Sequence, residues 1–93
     1  MNKDLLEIEK NKKILLQAVG KVIYTKRKEI NKGINKFSFE YDIGNGLLSR
    51  LERGDTDTQI STLWKLANAF NIKFSELALL IEKELPENFN FYN

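Results

Sequence analysis

The stretch Ile43-Gly44-Asn45-Gly46-Leu47-Leu48-Ser49-Arg50-Leu51-Glu52-Arg53-Gly54 constrains this chain more than any other. Two glycines and an asparagine near its start sit where a backbone changes direction. Leu47, Leu48 and Leu51 then recur at one- and three-residue steps, the apolar stripe of a short helix. Gly54 supplies the left-handed residue on which helices commonly end. Arg50 and Arg53 project from that helix together with Asn45 and Ser49. A short helix with a buried stripe and a basic, polar outer side fits a DNA major groove. The same pattern describes an ordinary surface helix, and the flanking chain decides between the two.

Upstream, residues 1–29 read as helix. Asp4 is an N-cap with Glu7 three residues on, as in a capping box. Leu5, Ile8, Ile14, Leu15, Ala18, Val19, Val22 and Ile23 follow as apolar positions, and the spacing from Ile14 to Ile23 predicts a core face. The polar run Glu9–Lys13 is compatible with one continuous helix or with a break. Gly20 inside the periodic run costs about 1 kcal/mol against alanine, which a closely packed second helix would offset. Asn31-Lys32-Gly33 is a turn by composition. Ile34, Phe37, Ser38 and Tyr41 define a second short helix, capped by Gly33 or Asn35, with Phe39 on a different face. Asp42-Ile43-Gly44 joins it to the opening stretch. Two short helices across so small a turn form a helix-turn-helix.

Downstream, Asp55–Gln59 is a polar loop. Ile60, Leu63, Trp64, Leu66, Ala67 and Phe70 mark a fourth helix over about 61–70, with a start one or two residues earlier also allowed, and Asn71 is its left-handed cap. Ile72 and Phe74 plug the core in the connection. Ser75-Glu76 opens a fifth helix with Leu77, Leu80 and Ile81 inside, ending before Pro86. Phe89, Phe91 and Tyr92 crowd the tail and are expected to pack on this domain or on a second copy. Nothing alternates like a strand over five residues. The expected fold is all-α: a compact five-helix domain over 19–85, an N-terminal helical extension over 1–18 and a short aromatic tail over 86–93.

Composition narrows the chemistry. The 93 residues contain no cysteine and no histidine, which removes disulfides, thiolate nucleophiles, the usual zinc sites and the commonest general base. No catalytic residues, metal or cofactor are expected, and the chain is read as not an enzyme. Asp55, Asp57, Glu82, Glu84 and Glu87 fall in a loop or on solvated surface, and Asp55-Thr56-Asp57 lacks the glycine and distal glutamate of a calcium loop. No apolar run reaches membrane-spanning length and no signal peptide is visible, so a cytoplasmic location is expected. Net charge is only +2, but nine Lys/Arg and one acid occupy 10–36, whereas three Lys and six acids lie from Gly54 onward. A basic half beside a slightly acidic half suggests a polyanionic partner.

Together these blocks resemble the lambda-repressor-like helix-turn-helix proteins, the XRE-type family of phage repressors, Cro and many small bacterial regulators. The resemblance runs from about Val19 to Leu77. Gly20-Lys21-Val22-Ile23 with Arg27 is similar to the family's first helix, and Phe37-Ser38 to its apolar-plus-small pair, with Ser38 for the usual alanine. Leu48–Gly54 is similar to the end of the recognition helix; Thr62–Ile72 with Glu76-Leu77 is similar to the fourth helix and the entry to the fifth.

The resemblance implies roles. Asn45, Gly46 and Arg50 stand where the family reads base edges, and Leu47 lies at the groove floor beside a thymine methyl. Lys36, Ser49 and Arg53 are the implied phosphate contacts. Glu52 is implied to hold the helix end and the following loop, with Phe37, Ser38, Leu48, Leu51, Leu63, Leu66 and Phe70 as core. The chain departs from the pattern at Gly44, where a Ser or Thr cap is usual, at Gly46, which has no side chain to read a base, and at Thr58 in place of a proline. The implied function is a DNA-binding transcriptional regulator, a repressor, bound as a homodimer to double-stranded DNA. The alternative is a protein-binding module, such as an antitoxin, that holds a partner through Trp64, Phe74 or the tail.

Overall fold

In this computed structural model, residues 4–92 are described; Met1 to Lys3 of the extension and Asn93 of the tail lie outside them. Five helices follow one another: α1 (Leu5–Glu29), α2 (Ile34–Tyr41), α3 (Asn45–Glu52), α4 (Ile60–Ala69) and α5 (Phe74–Glu84). The described residues contain no strand. No helix among them is long and apolar enough to cross a membrane.

The Glu9–Lys13 run does not interrupt α1, which extends for 25 residues, about 37 Å at 1.5 Å per residue. Its length dominates a molecule measuring 47 × 24 × 20 Å. Asp4 caps it by accepting from the Leu6 amide at 2.9 Å. Within the polar run, Asn11 is buried, and its Nδ2 donates to the carbonyls of Asn90 and Phe91, both at 3.1 Å. The tail therefore packs on its own domain, with Phe89 and Phe91 edge to face at 5.8 Å.

Two apolar clusters share α1. Ile23, Phe37, Ile43, Leu48, Leu51, Leu66 and Phe70 close one around α2 and α3. Ala18, Val22, Ala67, Leu77 and Ile81 close the other against α5. Leu48 and Leu51 are essentially inaccessible, each contributing about 2 kcal/mol by burial. Leu63 is half-buried and packs against both clusters. Ser38 is buried as expected, but its hydroxyl finds no hydrogen-bond partner among the described residues.

Gly20 is where α1 and α3 meet. A β-carbon there would lie 2.4 Å from the Leu51 carbonyl oxygen and 2.7 Å from that of Glu52. The glycine thus pays its helix-propensity penalty in exchange for close approach of another helix, as the sequence suggests.

Several local expectations shift. Gly33, not Asn35, caps α2. The left-handed residue between α2 and α3 is Asp42 at φ 54°, and Gly44 sits at an ordinary φ of −52°. Aspartate tolerates that conformation better than most residues. Lys65 Nζ donates to the Asp42 carbonyl at 2.6 Å, which fixes the turn from α4. Phe74 is the first residue of α5, not part of the connection, and Glu76 accepts from the Lys73 amide at 3.0 Å to start that helix. Helix α4 begins at Ile60, and its periodic Trp64 is half exposed because it stacks flat on Phe74 at 4.8 Å instead of entering the core.

Candidate nucleic-acid interface

The outer side of α3 is held in place from beneath. Leu48 and Leu51 enter the core, and Leu47 is half-buried against the same cluster. Leu47 is thus partly a packing residue, with only its outer part available to a groove floor. Glu52 forms a two-pronged ion pair with Arg27 of α1: Nε to Oε2 at 2.6 Å and Nη2 to Oε1 at 2.8 Å. Both side chains are 7% exposed. The third guanidinium nitrogen donates to the Lys32 carbonyl at 2.7 Å. Tyr24 lies 5.5 Å below the guanidinium carbon. The hydrogen bonds from Arg27 to Glu52 hold its proton still more tightly than usual, and burial opposes them only in part.

That pair holds the end of α3, as implied for Glu52, but not the loop after it. Its carboxylate reaches back to α1, and through Arg27 to the α1–α2 turn, not forward to the loop. The loop instead begins on Gly54, at φ 74°, whose amide donates to the Leu51 carbonyl at 3.0 Å. A β-carbon on Gly54 would press on Gln17 of α1 at 3.0 Å, so space and backbone conformation both require glycine.

At the other end of the helix, the N-terminal turn of α3 is open. Gly44 caps it without a side-chain hydrogen bond. Asn45, Gly46 and Arg50 are all exposed. Arg50 leans back along the helix, so that a β-carbon on Gly46 would sit 3.1 Å from its Nη1. The Arg50 guanidinium thus lies over the space that a side chain at position 46 would take. Asn45 donates from Nδ2 to Asn35 Oδ1 on α2, which ties the first residue of α3 to the neighbouring helix. Its own Oδ1 remains an acceptor that can take a hydrogen bond from a base amino group.

The three phosphate candidates fall into two groups. Ser49 and Arg53 act together, with Arg53 Nη1 donating to Ser49 Oγ at 2.7 Å and its Nε pairing with Asp55 at 2.9 Å. A phosphate at this corner would compete with the Asp55 carboxylate for a guanidinium already held in place. Lys36 stands apart, exposed on α2. Nearby, Lys32 is hydrogen-bonded to both Glu40 oxygens at 2.8 Å and to the Tyr41 hydroxyl at 3.2 Å. Glu40 and then Tyr41 push the Lys32 ammonium above its ordinary range, and Lys32 holds the Glu40 carboxyl below its own.

Sequence reasoning did not single out Asn35 as a tether, Lys65 as a brace for the turn, or the Arg27–Glu52 pair. Each joins residues 10 to 25 positions apart, where local spacing carries no signal.

The geometry thus unites a buried hydrogen-bonded clamp with an exposed, basic, two-turn helix. The helix-turn-helix family model matches residues 23–77, which takes in α2, α3 and α4 whole. No curated protein and no solved structure gives a match.

Proposed function

Because the chain belongs to the helix-turn-helix family, of the Cro/C1 type, we propose that it is a transcriptional repressor that binds operator DNA as a homodimer, with α3 in the major groove. The observation that carries this reading is the exposed cluster of Asn45, Gly46 and Arg50 on a helix whose other side is fixed by Leu48, Leu51 and the Glu52–Arg27 pair. In this reading Arg50 bonds a guanine edge, Asn45 offers its oxygen to an amino group, and Leu47 touches a thymine methyl. Lys36, Ser49 and Arg53 grip phosphates and set the register. One domain covers one half-site, and two-fold symmetry places the second half-site about 34 Å away.

The test is selection of bound sites from random duplex DNA at fixed salt, with wild type and Arg50→Ala. A motif should emerge whose strongest position relaxes in the variant, with a loss of about 10- to 100-fold at that base. If no motif emerges, or if Arg50→Ala leaves it intact, direct readout by α3 is wrong.

One observation favours a second reading, a protein-binding module of the antitoxin kind. Trp64 is 52% exposed and stacked on Phe74, at the edge of an open cleft with Asn68, Asn71 and Ile72. The readings separate on salt. DNA affinity falls steeply as salt rises because phosphate counterions are released, whereas an aromatic contact with a protein holds.

A further inference from the structure

The N-terminal half of α1 carries an unusual stripe. Leu5, Glu9, Lys12 and Leu16 follow one another at steps of four, three and four residues. At 3.6 residues per turn they fall within about 60° of arc. Leu5 is 74% exposed, Glu9 and Lys12 are exposed, and Leu16 is half-buried. Leu16 borders an apolar groove of about 290 Å³ whose walls include Leu15, Val19, Leu77, Ile81 and Leu85. Leu6, 80% exposed, extends the apolar first turn.

The order of the stripe reads leucine, acid, base, leucine. Reversed, it becomes leucine, base, acid, leucine. Two such helices laid antiparallel, with a two-fold axis between positions 10 and 11, bring unlike charges together twice and leucines together twice. Leu5 of one copy meets Leu16 of the second copy; Glu9 meets the second copy's Lys12. The two remaining pairs follow by symmetry.

We propose that this face of α1 is a docking surface for a second copy of the chain, paired antiparallel, with the second copy's Leu5 covering the mouth of the Leu15–Leu16–Val19 groove. The inference rests on the homodimer reading above and deepens it by assigning the surface. Charge complementarity commits the face to a second copy. An unrelated partner would have no reason to match this order, whereas a two-fold relation requires each residue to meet its complement in an identical sequence. The surface lies outside the matched family segment 23–77, so it is an addition to the module that positions it.

Sedimentation equilibrium without DNA tests it, using Glu9→Lys and Lys12→Glu separately and mixed. Wild type should be a dimer. Each single variant places like charges opposite one another at both pairs and should be monomeric, with self-association weakened at least tenfold and helix content by circular dichroism unchanged. An equimolar mixture of the two variants restores both unlike pairs and should form a heterodimer. A monomeric wild type, single variants that dimerise like wild type, or a mixture that stays monomeric would each overturn the proposal. Salt titration of duplex binding by the same samples reads the DNA-binding reading separately. A dimer without salt-dependent binding refutes that reading and leaves the docking surface standing; salt-dependent binding by a monomeric wild type does the opposite.

Discussion

The two ends of α3 are built on different principles, though the whole helix is only eight residues long. Its C-terminal end is clasped. Leu51 is buried, Glu52 is ion-paired to Arg27, the backbone carbonyls lie against Gly20, and Gly54 is wedged on Gln17. Its N-terminal end has a glycine cap with no side-chain bond, a second glycine one residue inside, and polar side chains open to solvent. One end is over-determined and the other is bare. With its first residue tied lightly, by the exposed Asn45–Asn35 hydrogen bond, and its last turn clasped, the helix can present its N-terminal side chains to a ligand without losing its place on the domain.

The comparison can be broken most severely at the clamp. Glu52→Gln leaves the Arg27 guanidinium buried without its counter-charge and is expected to cost about 3 kcal/mol in denaturant unfolding. Replacing both partners with apolar residues, Arg27→Met with Glu52→Leu, should recover most of that loss. Equal instability in the double variant would mean that the clamp's value lies in packing and not in charge. Next in size is Gly20→Ala. Its β-carbon would meet the Leu51 carbonyl at 2.4 Å, so a clash of roughly 1–3 kcal/mol outweighs the helix-propensity gain of about 1 kcal/mol. A raised melting temperature in this variant would contradict the close approach of α1 and α3.

The bare end should respond with the opposite sign. Gly46→Ala removes backbone entropy from a helix where only a flexible guanidinium stands in the way. Stability should rise by about 0.5 kcal/mol, while duplex affinity falls because Arg50 is displaced from that space. If stability and affinity rise together, that placement of Arg50 has no function. The smallest effect belongs to the Lys32–Glu40 pair. Glu40 titrates below its ordinary value of 4.5, so its contribution is present above that pH and fades as the pH falls through the lower folded-state value. Lys32 titrates above its ordinary 10.5, so the same pair weakens only as the solution becomes more alkaline than that. Unfolding curves of wild type and Glu40→Gln should therefore differ at neutral pH and converge in acid.

The distinction between the two ends also explains what was legible in the sequence. Helix positions follow from short-range spacing, and all five helices lie where the apolar periodicity puts them, within a residue or so at the starts of α4 and α5. Gly20 was readable too, because a glycine inside a regular stripe has few explanations. The clamp was not readable as a clamp. Arg27 and Glu52 are each ordinary charged residues in their own helices, and only the approach of α1 to α3 makes them partners. The turn was legible as a turn, with Gly44 at the cap position of α3, but its inner geometry was not: Asp42 adopts the left-handed conformation and Lys65 arrives from α4 to brace it. Trp64 obeyed the helical period but not the burial that period usually signals, because Phe74 offers it a stacking partner at the surface.

The contact at Gly20 also bears on how the molecule opens. Eight residues are too few to hold a helix in water unaided, since nucleation costs more than so few bonds return. Packed on α1 through its inner side, α3 depends on that helix, and the two carbonyls beneath Gly20 belong to its last turn. The amides of α3 should therefore exchange with solvent deuterium in step with those of the central turns of α1, as one cooperative unit. Exchange at the frayed start of α1 should run ahead of both. In that sense α3 is a conditional element, stable only while the long helix beneath it is docked.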